Sequence, residues 1–405
     1  MLPPPPGKGW RGFARHLFLP LALCISFAAA AAPYTPANDS DVVERLPASA
    51  TDPSVRRVES LRRQLAARPD DVALRLEIGR RYFDLAMAQG DPRYVGYAAA
   101  SIAPVARSDA GNADYWLLHG LIQQYSHDFE GALQSLGKAS ELNRASAEPI
   151  AWRAAIYMVQ ARYREALSEC KRLVPLAHPL HAQGCNAYVQ ASTGRLAAAY
   201  DALSRELTAA SDVAPELALW VHTRLAEMAI RLQRLDEAQG HFKAALDLGI
   251  TDQFLLGAYA DFLLLQQRPG EAVTLLADWE RSDILLLRLA LAGRAAKDSR
   301  ANNWAAQLRD RFSAAAQRGD RLHEQEAARF ELDIEGRPAK ALDLASRNYQ
   351  AQKEARDAEI LMRAALAADR PKAAQPALDW LLANRYEDPA LVQLASQLAA
   401  KGGAR

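Results

Sequence analysis

Windows rich in Val, Ile and Thr are few in this chain of 405 residues, and aromatic residues make up only 7% of it. Both shortages work against β-structure, and the abundance of alanine favours helix. Catalytic fingerprints are missing too. There is no P-loop, no G-x-S-x-G elbow and no Rossmann glycine pattern placed after a strand. His323-Glu324 opens like a zinc-protease motif, but Ala327 stands where the second histidine belongs, which removes that metal reading. His178 and His181 flank Pro179; two histidines alone make a poor metal site and are read as a solvated turn. Arg318-Gly319-Asp320 spells an adhesion tripeptide, read as chance in an exposed helix-linking loop. No Ser/His/Asp or Cys/His grouping stands out. The sequence predicts neither an enzyme nor a cofactor or metal site.

Charge of one sign is absent as well. The chain carries 49 basic and 48 acidic residues, with half its residues apolar. That composition is globular and too apolar for a disordered chain. Residues 1–31 have the layout of a secretory signal. Lys8, Arg11 and Arg15 precede the apolar run Leu17 to Ala32, and Ala29 and Ala31 supply the A-x-A pattern of a cleavage site. The run contains Pro20 and is short for a membrane span. Cys24 lies within it, but Leu23 before it is not small, which disfavours lipidation. Cleavage would leave 46 basic against 48 acidic residues. A near-neutral mature chain offers no global field for nucleic acid. Residues 32–53, rich in Pro, Asp and Ser, read as a flexible spacer. The predicted location is periplasmic or secreted, with membrane contact only if the signal is kept as an anchor.

What is present is a repeat. A small residue with alanine twelve positions later recurs at Gly120/Ala132, Ala154/Ala166, Ala187/Ala199, Ala226/Ala238, Ala260/Ala272, Gly293/Ala305 and Ala365/Ala377. The early pairs are spaced 34, 33, 39, 34 and 33 residues apart. Four residues after the second alanine come Leu136, Cys170, Leu203, Phe242, Leu276 and Leu381, with Arg309 the exception. Two helices joined by a tight turn cross closely only where a side chain is small, and the large residue one turn on fills the groove beside the crossing. A single hairpin cannot bury both its faces, so neighbours must stack.

Tyr115 to Asn143, with Trp116, Gly120, Ala132, Leu136 and Ala139, resembles the tetratricopeptide repeat. Gly79 and Tyr82 repeat part of the pattern. Ala161 to Leu167, Leu235 to Ala238, Pro269 to Ala272 and Gly336 to Leu342 look like its turn and second-helix start. The resemblance implies an all-α, right-handed superhelical α-solenoid of stacked antiparallel hairpins over residues 54–400, eight or nine in number. Departures are an insertion near Gln89 to Tyr97, a degenerate stretch at 294–330 with Arg329 where a small residue belongs, and few of the family's repeat-end prolines.

The family holds peptides in a concave groove lined by the first helix of each hairpin. Counting from the crossing residues, the groove-facing set is Arg80, Phe83, Gln124, Tyr125, Tyr188, Glu227, Arg231, Asp261 and Phe330. The set has no Lys/Asn cluster to clamp a terminal carboxylate. Cys170 and Cys185 lie at equal distances from the turn between consecutive antiparallel helices, so a disulfide and two buried free thiols are both open readings. The function expected is a non-catalytic scaffold of the bacterial cell envelope that binds a protein or peptide. An accessory part of a polysaccharide or cell-wall assembly system is the alternative, as is a membrane-anchored scaffold.

Overall fold

The computed structural model describes residues 53–403 except residue 110. The signal and all but the last residue of the spacer lie outside the described residues. The described residues are helical, without strands. Helices α1 (Pro53–Ala67), α2 (Val72–Gln89), α3 (Arg93–Ile102) and α4 (Val105–Ser108) open the chain. Next come α5 (Ala113–Tyr125), α6 (Phe129–Leu142), α7 (Glu148–Val159), α8 (Tyr163–Leu173), α9 (Pro179–Ala191) and α10 (Leu196–Ala209). The middle holds α11 (Pro215–Arg231), α12 (Leu235–Asp247), α13 (Gln253–Leu265), α14 (Pro269–Leu275), α15 (Asp283–Ala296) and α16 (Ala301–Gln317). The end holds α17 (Glu324–Asp333), α18 (Pro338–Ala351), α19 (Ala355–Ala367), α20 (Gln375–Ala383) and α21 (Pro389–Gly403). Antiparallel pairs run α2/α3, α5/α6, α7/α8, α9/α10, α11/α12, α13/α14, α15/α16, α17/α18 and α19/α20. The described chain is thus an α-solenoid of stacked hairpins.

One turn recurs between the two helices of a hairpin. A residue with positive φ follows the first helix, and the next backbone N–H reaches back five residues. Asp128 N donates to Gln123 O (2.9 Å), Arg162 N to Tyr157 O (2.8 Å), Arg234 N to Ala229 O (2.9 Å) and Arg268 N to Leu263 O (2.9 Å). His127, Ala161, Gln233 and Gln267 take the left-handed conformation. This is the Schellman ending, which satisfies carbonyls the helix leaves unpaired. A buried anchor then starts the second helix, as Phe129 and Tyr163 do.

The small-residue rule has a direct steric basis. A Cβ on Gly120 would come within 2.8 Å of the Leu136 side chain, and one on Gly293 within 2.6 Å of the Trp304 ring. Residues 294–330, expected to be degenerate, form regular helices. Arg329 is not at the crossing. The turn before α18 holds one more residue, with Arg337 N reaching Glu331 O (2.7 Å), so the fully buried Ala328 takes that place. The insertion expected near Gln89 lengthens α2 to 18 residues.

The array meets itself. Trp380 Nε1 on α20 donates to the Tyr163 hydroxyl (3.0 Å) at the start of α8. Leu196 N donates to Glu387 Oε2 (2.6 Å). Lys353 N donates to Val159 O (2.7 Å), and Gln352 Nε2 lies 2.8 Å from His127 Nε2. At Gly194, φ 78°, the two passes approach closely, since a Cβ there would sit 3.0 Å from that of Arg385. Ala161 packs against both the N-terminal and the C-terminal core clusters. No helix of the described residues is long and apolar enough to cross a membrane.

Two glycines separate crossing from mere helix propensity. Gly120→Val is expected to lower the unfolding free energy by about 1–3 kcal/mol through overpacking. Gly240→Ala, exposed on α12 with open space around its Cβ, is expected to raise it by about 0.5–1 kcal/mol. Denaturant midpoints of the two variants check this; equal effects would contradict the crossing geometry.

Candidate binding cavity

Residues of both passes line a half-open cavity of about 820 Å³. One wall comes from α7, α9, α11 and the start of α13, and carries Trp152, Met158, Tyr188, Trp220 and Phe254. The other comes from residues 322–326 and 352–357, and carries His323, Glu326, Glu354, Arg356 and Asp357. The second group reaches the first because the backbone of Lys353 is tied to Val159 and the side chain of Gln352 to His127.

The loop before α19 holds its carboxylates by a capping box. Glu354 accepts from the backbone of Asp357, and the Asp357 side chain accepts from Glu354 N (2.9 Å). Asn348 Nδ2 adds a bond to Asp357 (2.8 Å). Complete burial, reinforced by the neighbouring Glu354, pushes the Asp357 carboxyl up to about 7. Burial also opposes ionisation of Glu354, but Arg356 at 2.6 Å outweighs it and holds the carboxyl below its ordinary value. Burial works likewise against Glu326, yet His323, 3.8 Å away, with Arg356 and Arg288 farther off, holds it down to about 2. Reciprocally, Glu326 overcomes burial and raises His323. Arg224 pairs with Glu227 (2.9 Å) and lies over the Tyr188 ring, 4.9 Å from its centroid.

The nine groove candidates divide. Gln124, Tyr125 and Tyr188 line the cavity. Arg80 sits beside it, bonded to Asp84 and to the lining residue Glu148, both at 2.8 Å. Glu227 is occupied by Arg224. Asp261 is a structural anion: Arg288 (2.8 Å) and Arg329 (2.9 Å) both bind it, pinning α13, α15 and α17 together. Phe83 and Phe330 are core residues, 2% and 1% exposed. Phe83 on α2 packs against Trp152 on α7, and Phe330 on α17 against Phe312 on α16, so these inner-helix positions are filled by other hairpins. Arg231 is not free for a partner either. It donates to Ala191 O (2.6 Å) and Glu387 O (2.9 Å) and lies over Tyr386, 3.9 Å from the centroid.

His178 and His181 are not a solvated turn. His178 Nδ1 accepts from Leu180 N (3.1 Å) and caps α9, while His181 lines the cavity edge-on to Trp220 (5.7 Å). Cys170 and Cys185 are joined by a disulfide, with Cα atoms 5.5 Å apart, and Cys185 lines the cavity. No group of three or more His, Cys, Asp or Glu that could hold a metal occurs among the described residues. Trp220, Phe254, Glu326 and Glu354 were missed by counting from the crossings. The first two lie at hairpin entries, and the last two arrive from a distant part of the chain. The Glu354-x-x-Asp357 capping pattern was the one local signal available.

No protein-family model and no curated protein matches the chain. Solved structures similar to it include the yeast Tom70, at 13% identity over 88% of this chain and 87% of that one, TM-score 0.40. A tetratricopeptide repeat protein from Parabacteroides merdae is similar at 14% identity over 80% and 99%, TM-score 0.31. A chain of the Cut9–Hcn1 hetero-tetramer of the APC/C is similar at 12% identity, TM-score 0.40; 85% of this chain is covered but only 52% of that one. At these scores the likeness says nothing of partner or chemistry.

His323 reports on the cavity, and His241, outside it, serves as a contrast. His323 is expected to titrate above 6.5, whereas His241, buried beside His222, falls to about 4. The sign follows: the stability His323 contributes is complete below its unfolded pKa and is lost as pH rises through its folded one. His241 acts oppositely, weakening the fold as pH drops from about 6.5 to 4. Histidine NMR titration checks this, and a His323 value below 6.5 would contradict its pairing with Glu326.

Proposed function

We propose that the chain is an exported, non-catalytic scaffold that holds a segment of a partner protein in the cavity between the two passes of its superhelix. The observation that carries this reading is the cavity itself, with rings on one wall and fixed charges on the other. Its volume falls within the range of about 300–1,000 Å³ that suits compact ligands. It fits a few side chains and not a long extended peptide, so recognition rests on a short motif. Phe254, 36% exposed, offers an aromatic anchor of the kind that dominates binding energy. The envelope location rests on the signal-like N-terminus and on the Cys170–Cys185 bridge, which suits an oxidising compartment. Carboxylates beside indole faces would also accept a sugar ring, which keeps the polysaccharide-assembly role as a second reading.

A crosslinked pull-down of the tagged, exported chain from its native envelope, read by mass spectrometry, tests the proposal. One abundant protein partner should be recovered, and Phe254→Asp should cut its recovery at least ten-fold. The same variant should shift stability by less than about 1 kcal/mol, as surface substitutions do. Recovery of glycan without protein would favour the second reading; recovery of bait alone would overturn both.

A further inference from the structure

The cavity's charges do not balance. Six carboxylates line it, on Glu148, Glu216, Asp252, Glu326, Glu354 and Asp357, against the two guanidinia of Arg224 and Arg356. Both guanidinia are already matched, Arg224 by Glu227 and Arg356 by Glu354. Arg80 likewise meets Glu148 at the rim. Glu326 is different. It is 7% exposed, and its closest cation, His323, stands 3.8 Å away, beyond hydrogen-bond reach. Glu326 lines the cavity with a single histidine as its closest cation, and such a carboxylate accepts an added donor with positive charge. Gln124 contributes a second acceptor, since its buried Oε1 lacks a hydrogen-bond partner.

The opposite wall suits the same ligand. Trp152, Trp220 and Phe254 line the cavity, and aromatic rings attract cations, most of all when desolvated. The chain uses this chemistry on itself, with Arg224 over Tyr188 (4.9 Å) and Arg162 over Tyr157 (4.6 Å). The buried Nε of Arg224 has no acceptor, which would suit an anion. Its charge, however, is already countered by Glu227, and carboxylates outnumber it.

Resting on the scaffold reading above, we propose that the partner segment inserts a lysine or arginine side chain into the cavity, its stem against the aromatic wall and its charged head at Glu326. The specificity is for a basic residue with apolar neighbours, and acidic segments are rejected by the surplus carboxylates.

Four pools of eight-residue peptides test this, identical except for a fixed central Arg, Lys, Leu or Glu, with binding to the mature chain read by fluorescence anisotropy at pH 7.5. The Arg and Lys pools should bind at least ten-fold tighter than the Glu pool. Glu326→Gln should erase most of that preference, and Phe254→Ala should weaken every pool that binds. The comparison on the unmodified chain decides the matter even if Glu326→Gln fails to fold. A Glu pool that binds as tightly as the Arg pool overturns the cationic assignment. A Leu pool that binds best, and loses affinity in Phe254→Ala, overturns the assignment while leaving the scaffold reading in place. Failure of all four pools overturns both.

Discussion

An open array of hairpins presents a groove whose width is set only by the small rotation between neighbours. Here the second pass of the array is fastened to the first. The Trp380 indole bonds the Tyr163 hydroxyl, Glu387 caps the N-terminus of α10, and Arg231 spans Ala191 O, Glu387 O and the Tyr386 ring. Apart from the Arg231–Ala191 bond, which spans 40 positions, these contacts join residues more than 150 positions apart. The Trp380–Tyr163 bond is buried, and there an unmade bond would cost about 1–3 kcal/mol. The cavity, its charged wall and its limited volume all follow from that fastening. In a solenoid held only by neighbour contacts, residues 352–357 would lie nowhere near Trp152.

The hairpins themselves were legible because their cause is local and periodic. A twelve-residue interval from small residue to alanine is what one helix, one Schellman turn and half of a second helix require, and Gly120, Ala154 and Ala226 mark it plainly. Arg329 misled because one additional turn residue before α18 moved the crossing to Ala328, a shift that no spacing rule anticipates. Phe83 and Phe330 misled for another reason. Some inner-helix positions face other hairpins, and the sequence does not say which. Arg231 was placed in the groove-facing set, but its partner lies 156 positions away, and no local pattern reveals such a pairing. The same holds for Glu326 and Asp357.

Electrostatics within the superhelix falls into two kinds. Asp261 with Arg288 and Arg329 is structural: three helices meet at one half-buried carboxylate. The carboxylates of the cavity are not neutralised in this way. Glu326 has only a histidine at 3.8 Å, and Asp357, fully buried next to Glu354, is pushed up to about 7. Perturbed carboxylates gathered in a cavity beside aromatic rings are common where a protein binds something.

The claim on which the rest stands is that the C-terminal hairpins close onto the third, and a double-mutant cycle measures it directly. Tyr163→Phe, Trp380→Phe and the double variant would be unfolded in denaturant beside the parent chain. If α20 docks on α8 through the indole–hydroxyl bond, the two substitutions are non-additive, with a coupling of about 0.5–1.5 kcal/mol. Strict additivity across these 217 positions would mean that the two passes do not touch, and that the cavity between them does not form.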